Sequence, residues 1–458
     1  MLLTDALRMI GLKNPTMRLL SFCPGFLRGY IDRLRASSVG SRLARGMLWN
    51  LIATVISRGF ILISSILIAR MLGKVGFGEL GIIQSTIGMF GVIAGLGLGL
   101  TATKYVAEFR EKNPDKAGRI ISLSNWLAAG AGGLITMGLL AKAPWLATRA
   151  LAAPHLAGLL KVGAPLLFLG AINGAQTGAL SGFEAFNRIA RVNLYSGIAS
   201  FPFMLGGTIL FGLPGAVWGL VASAITNCIL NYIALRREAT IARVPITLSG
   251  ARQEISLLWT YSLPALLGGI VVGPVTWGCN AILVNQPNGY AEMGALNAAN
   301  QMFTALTFVP IVLVQVMLPI LSERLGDADI LRSKRILTAS IKLNAIVVFP
   351  LVLVGSLFSP VVMSIFGTGF RNAWPTLVFT LLAAGLFSIQ LPVGTVIQAA
   401  GKMWIGALMN LGWALAFLTG TFLMARNGSM GLSLARAAAY VLHAVWTFSF
   451  ALHIIRSK

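Results

Sequence analysis

Beyond position 45 the chain keeps returning to stretches of about 20 apolar residues, the length a helix needs to cross the hydrocarbon layer of a membrane. Twelve can be drawn, near 46–68, 80–103, 120–141, 161–183, 193–212, 214–235, 257–284, 292–321, 337–358, 374–399, 404–424 and 430–455. Inside a bilayer every backbone polar group must be satisfied within the protein, so apolar runs of this length are expected to be helices. With 56% hydrophobic and 11% charged residues, the chain reads as an all-α polytopic membrane protein and not as a water-soluble globule.

The basic residues orient it, because Lys and Arg accumulate in the cytoplasmic loops of membrane proteins. Placing the N-terminus inside puts 27 of them in cytoplasmic segments and seven outside, namely Arg70, Lys74, Lys142, Arg149, Lys161, Arg371 and Arg426. Both termini are then expected in the cytoplasm. The formal net charge of +23 follows from this bias together with attraction to anionic membrane lipids, and no nucleic-acid partner is expected. Residues 1–45 hold eight of the cations and a short apolar run, Leu19, Leu20, Phe22, Phe26 and Leu27, broken by Pro24. That run is too short to span, and no small-residue cleavage site follows it. The segment therefore reads as an interfacial cytoplasmic arm, with a disordered tail or a start codon assigned too far upstream as the alternatives.

An internal repeat organises the rest. Gly76-Phe-Gly-Glu-Leu-Gly81 opens the second span and Gly289-Tyr-Ala-Glu-Met-Gly294 opens the eighth, 213 residues apart. Gly219-Leu220 likewise faces Gly431-Leu432. Six spans per copy is an even number, so the copies share one orientation and are related about an axis along the membrane normal. The expected layout is an N-lobe of six spans at 46–238, a cytoplasmic linker at 239–256 and a C-lobe of six spans at 257–458. Two pseudo-symmetric six-helix lobes then enclose a central cavity.

None of the 13 Asp and Glu residues falls in the middle of an apolar stretch, whereas two arginines lie inside such stretches, Arg58 at mid-depth and Arg436 nearer the outer end, where it can also snorkel. A charge at mid-depth costs about 3 kcal/mol on insertion scales and usually faces a partner or an aqueous path. Polar stripes at helical spacing accompany both arginines: Asn50, Thr54, Ser57, Arg58 and Ser65 in the first span, and Ser433, Arg436, Tyr440, His443 and Thr447 in the twelfth. Asn297, Asn300 and Gln301 lie on one face of the eighth span, with Gln84 at the repeat position of Asn297. Such amides can bind sugar hydroxyls or hold helices together. Lys104 closes the second span, as an anchor at the cytoplasmic face or as a first contact for an incoming phosphate.

Catalysis finds little support. His155, His443 and His453 are scattered, Cys23, Cys228 and Cys279 lack metal-ligand spacing, and neither a metal, a disulfide nor a cofactor is expected. Gly91, Gly95, Gly97 and Gly99 sit inside an apolar span without a P-loop Lys, so they read as helix-packing glycines.

Arg45-Gly-Met-Leu-Trp-Asn50, Ile68-Ala-Arg-Met-Leu-Gly73, Phe77-Gly-Glu-Leu-Gly81 and Thr103-Lys-Tyr-Val-Ala107 resemble the opening of bacterial oligosaccharide flippases of the Wzx type. These form the polysaccharide-transporter branch of the multidrug/oligosaccharidyl-lipid/polysaccharide (MOP) superfamily. The resemblance in layout runs from about residue 40 to the end. It implies a transporter of the bacterial inner membrane that moves a polyprenyl-diphosphate-linked oligosaccharide to the periplasmic leaflet for surface polysaccharide such as O-antigen. Polysaccharide polymerase machinery is a candidate partner. It also implies that basic cavity residues meet the diphosphate, and Arg58 and Arg436 are the positions that could match. The alternatives are a glycan ligase or polymerase acting on the same carrier, a lipid II flippase, or a drug exporter. The last would need the buried carboxylates that this chain lacks.

Overall fold

The computed structural model describes residues 38–255, 262, 270–326, 330–399 and 402–457. Side chains are described from residue 54 onward, outside 315–336, 398–400, 403 and 454–457. Residues 1–37, with most of the expected arm and Cys23, lie outside the described set, as does most of the expected seventh span before residue 270. Among the described residues there is no strand. The helices are α1 (Ser38–Gly95), α2 (Leu98–Phe109), α3 (Pro114–Trp145), α4 (Ala157–Gly163), α5 (Pro165–Gly182), α6 (Phe186–Ile241) and α7 (Val272–Val284). They continue with α8 (Gly289–Gly326), α9 (Ile330–Leu357), α10 (Ser359–Ile365), α11 (Trp374–Ala399), α12 (Met403–Met424) and α13 (Gly428–Ser457).

Helix length forces a reading of the longest elements. At 1.5 Å per residue the 56 residues of α6 would extend about 84 Å if straight, more than twice a bilayer core. They do not, because Gly212 adopts φ 62° and ψ −136° and interrupts the helix. A side chain disfavours that backbone region, and glycine enters it freely. The chain reverses there: a Cβ on Gly207 would lie 2.3 Å from the Gly215 carbonyl oxygen, and one on Gly219 would lie 2.5 Å from that of Phe203.

The junction of α12 and α13 repeats this geometry. Gly428 has φ 60° and ψ −143°, and Gly420 closes on Ala435 as Gly431 closes on Met424. Gly212 and Gly428 thus make the same turn between the last two spans of each half, 216 positions apart. Gly73, with φ 69°, interrupts the 58-residue α1 in a related way. Eight helical segments are long and apolar enough to span a membrane among the described residues. Dividing those that contain Gly73, Gly212 and Gly428, and adding the shorter apolar Val272–Val284, is consistent with twelve passes.

Two boundaries differ from the hydropathy reading. The second span does not run unbroken from 80 to 103, because Leu96 (φ 46°) and Gly97 (φ 67°) separate α1 from α2. The first helix already begins at Ser38, which makes the end of the expected arm continuous with the first span.

The two halves pack mainly within themselves and meet where α8 and α7 lie against the second part of α1. The repeated motifs are themselves this junction. A Cβ on Gly78 would fall 1.9 Å from the Tyr290 carbonyl oxygen, and one on Gly294 would fall 2.0 Å from that of Lys74. Two helices related by a two-fold axis can touch at equivalent positions only beside that axis, and small residues permit the approach.

Further contacts stitch the same end of the bundle, called here the hairpin end. Arg70 Nε donates to the Ile365 carbonyl at 2.7 Å, Asn285 Nδ2 to that of Ala150 at 2.8 Å and the Tyr290 hydroxyl to that of Leu151 at 2.7 Å. Phe77 packs on Phe366 and Phe370. At the opposite, linker end, Glu254 is tied to α3 through Arg119 at 2.9 Å and Lys116 at 3.8 Å.

Candidate functional site

Helix α8 lies between the two arginines. Phe303 and Phe308, both on α8, each carry a guanidinium over the ring: Arg436 at 4.8 Å from the Phe303 centroid and Arg58 at 5.1 Å from that of Phe308. Five residues on a helix correspond to about 7.5 Å of rise and about 140° of rotation. The arginines therefore reach α8 on different sides and are not brought into one site. Their environments differ as well.

Arg58 comes from the first half of the molecule and faces a phenylalanine of the second, across the junction. It is exposed. Its neighbours on α1 are used for packing: Ser57 closes on Gly197, and Phe60 meets Phe201 edge-on at 6.0 Å. These contacts fix the rotation of the first span against α6 and leave Arg58 directed toward α8. A cation over an aromatic face gains about 0.5–1 kcal/mol when exposed and about 2 kcal/mol when dry.

Arg436 is held inside the second half. Its Nη1 donates to Asn300 Oδ1 at 2.9 Å, while Nε and Nη2 are inaccessible to solvent and have no hydrogen-bond acceptor among the described residues. Trp413 Nε1 is in the same condition, and its ring lies 5.5 Å from that of Tyr440, one turn beyond Arg436. Among the described residues no carboxylate lies within ion-pair distance of Arg58 or Arg436. Both sites are rich in donors and poor in acceptors, a chemistry suited to phosphate or carboxylate oxygens. Glu79 and Glu292 are engaged elsewhere: Glu79 with His155 at 2.6 Å, and Glu292 as acceptor for the Ser429 backbone N–H at 2.9 Å.

The other expected residues scatter. Asn297 is buried at the helix crossing, where its Nδ2 donates to the Phe77 carbonyl at 3.3 Å and packs against Gly81. Through this bond it ties α8 to α1. Asn300 is the partner of Arg436, and Gln301 and Gln84 are half-buried on α8 and α1. Lys104 is exposed on α2, 4.9 Å from the Tyr105 ring centroid. Asn50 lies in α1, and its side chain is outside the described set.

Most of the twelfth-span stripe is a zipper to α11. Ser433 pairs with Thr380, Ser429 with Thr376, and Gln390 bonds both the Tyr440 carbonyl and His443 Nδ1. Phe303 and Phe308 were missed by sequence reasoning, because an apolar ring in an apolar span carries no polar signal. Their spacing relative to the amide stripe is the only trace they leave.

The family described as polysaccharide biosynthesis protein matches residues 43–324 of the chain. Among curated proteins, the EPS I polysaccharide export inner membrane protein EpsE of Ralstonia solanacearum is 24% identical over 402 residues, 85% of this chain and 88% of that protein. Its namesake in Ralstonia nicotianae (strain ATCC BAA-1114 / GMI1000) matches at 26% over 198 residues, 41% of this chain and 44% of that protein. The succinoglycan biosynthesis transport protein ExoT of Rhizobium meliloti (strain 1021) is 22% identical over 407 residues, 87% of this chain and 77% of that one. Among solved structures, an inward-facing multidrug resistance MATE family transporter of the MOP superfamily superposes with a TM-score of 0.73 at 14% identity. That superposition covers 90% of this chain and 99% of the other, and it shows the fold. The apolar spans, the repeated half and the junction between halves thus share the two-lobe fold of that structure. With a family match over more than half its length, the chain belongs to the family described as polysaccharide biosynthesis protein.

Proposed function

We propose that the chain flips a polyprenyl-diphosphate-linked oligosaccharide from the cytoplasmic to the periplasmic leaflet of the bacterial inner membrane, with both termini in the cytoplasm. Polysaccharide polymerase machinery then receives the flipped unit. The observation that carries the reading is Arg58: an exposed guanidinium, deep in an apolar span, facing Phe308 of the other half with no carboxylate in reach among the described residues. A diphosphate supplies the paired oxygens that such a fork binds best.

Arg436 offers a second cationic position, while the amides of Gln84, Gln301 and Asn50 provide donors and acceptors for sugar hydroxyls. Lys104 meets phosphate near the end of the second span. The relatives with matching coverage are named for polysaccharide export or transport, which favours a glycan cargo. An inside-negative membrane potential favours outward movement of the anionic head by about 2.3 kcal/mol per charge per 100 mV when the protein moves no compensating charge.

The test is leaflet exchange of a fluorescent polyprenyl-diphosphate sugar in proteoliposomes. Arg58→Ala is expected to slow exchange at least tenfold, with Arg58→Lys between it and the unaltered protein. Full exchange by a correctly inserted Arg58→Ala protein removes Arg58 from the mechanism.

A further inference from the structure

A second opening lies in the first half of the molecule, at the linker end. Helices α3, α5 and α6 leave between them a crevice of about 480 Å³, bounded beyond the helices by Ile246 and Leu248 of the linker. This is within the roughly 300–1,000 Å³ of sites that take small molecules. Its walls are mostly apolar, formed by Ile121, Trp126, Phe168, Ile172 and Leu235. Trp126 is 64% exposed, so this is a surface crevice and not a void in a core.

Arg236 lines the crevice and also an adjoining pocket of about 430 Å³ shared with Arg188 and Arg237. The three guanidiniums are not equivalent. Arg188 is paired with Glu238. Arg236 lies 5.3 Å from the Tyr232 ring centroid and donates through Nε to the Tyr232 hydroxyl at 3.1 Å. Because Tyr232 is itself a wall of the crevice, this contact holds the guanidinium at the crevice. Among the described residues neither Arg236 nor Arg237 has a carboxylate within ion-pair distance.

Gln176 is an independent sign of a ligand. It lines the crevice, is 4% exposed, and its Oε1 receives no hydrogen bond among the described residues. A buried carbonyl oxygen left without a donor is destabilising, and a hydroxyl donor would relieve it.

Apolar walls beside two uncompensated arginines fit an amphiphile with an anionic head, and basic pockets between membrane helices bind such lipids. We propose that this crevice holds an anionic glycerophospholipid of the surrounding leaflet, of the phosphatidylglycerol class. Its phosphate pairs with Arg236 and Arg237, an acyl chain lies along Ile121, Phe168 and Ile172, and a head-group hydroxyl donates to Gln176. The site is separate from the junction between halves, and the proposal stands whatever the transported cargo is.

The purified, delipidated full-length protein is melted in detergent with phosphatidylglycerol, phosphatidylcholine, undecaprenyl phosphate or inorganic phosphate. Phosphatidylglycerol is expected to raise the melting temperature by several degrees, and phosphatidylcholine and inorganic phosphate to leave it unchanged. R236Q/R237Q and the crevice-filling Ala129→Trp are each expected to abolish the shift. Independently of either variant, a photoreactive phosphatidylglycerol is expected to label peptides of α3, α5 or α6 in the unaltered protein. Equal shifts with phosphatidylcholine, a shift retained in folded R236Q/R237Q, labelling confined to other helices, or a response to undecaprenyl phosphate alone each overturn the proposal.

Discussion

Replacing Arg436 by methionine separates what this guanidinium does for folding from what it does for transport. One donor is satisfied, Nη1 to Asn300 at 2.9 Å, and the cation sits 4.8 Å from the Phe303 centroid. A hydrogen bond from a charged donor contributes about 1.5–3 kcal/mol and a desolvated cation–π contact about 2 kcal/mol, so the favourable side reaches roughly 3.5–5 kcal/mol. On the other side, holding the ion out of water costs several kcal/mol, and the buried, unpartnered Nε and Nη2 add about 1–3 kcal/mol each. The costs match or exceed the gains. A methionine of similar length removes the charge and keeps most of the packing, so Arg436→Met is expected to melt at the same temperature as the unaltered protein or above it. Thermal unfolding in detergent, read by intrinsic fluorescence, gives the first number. Leaflet exchange in proteoliposomes gives the second, and it is expected to fall at least tenfold. A melting temperature several degrees lower would make the arginine a structural group and refute the reasoning, and so would undiminished exchange.

Two further outcomes test the junction between halves. Asn297→Ala deletes one hydrogen bond, to the Phe77 carbonyl, and is expected to cost about 0.5–1.5 kcal/mol while exchange persists; loss of exchange in a well-folded variant would return Asn297 to the substrate path. Gly78→Leu places a Cβ 1.9 Å from the Tyr290 carbonyl oxygen and must part the halves at the hairpin end. Buried Cys279, in a Cys23→Ser/Cys228→Ser background that leaves it the single thiol, is then expected to react faster with a thiol reagent, and an unchanged rate would show that the glycine crossing is not what keeps that end shut.

Hydropathy made the helical class legible because a membrane span is a local property: about 20 apolar residues suffice to define it. The turns at Gly212 and Gly428 were visible as boundaries near 212–214 and 424–430 for the same reason. The break at Leu96 and Gly97 was not, since the sign of φ leaves no mark on hydrophobicity and the surrounding glycines fit helix packing equally well. The repeated motif could be found by comparing the chain with itself, but that its two copies touch is a fact about the axis between them. Asn297 shows the limit most clearly. An amide among amides on an apolar helix suits a sugar or a neighbouring carbonyl, and the bond to the Phe77 carbonyl became visible only with Gly81 placed opposite. Arg436 was readable as a buried cation, yet its link to Asn300 joins residues 136 apart in sequence and needed the fold to bring them together.

The glycine crossing also sets a mechanical scale. If the halves tilt about Gly78 and Gly294, α8 becomes a lever whose arm grows by 1.5 Å per residue. Asn300 is about 9 Å along that arm, Phe308 about 21 Å and the far end at Gly326 about 48 Å. A tilt of about 10° then moves them by about 1.6, 4 and 8 Å respectively. The Arg436–Asn300 pair sits close to the fulcrum and is carried almost unchanged through such a motion. Phe308 would sweep past Arg58 by more than the length of a hydrogen bond, so of the two arginines Arg58 is the one whose surroundings change with the lever.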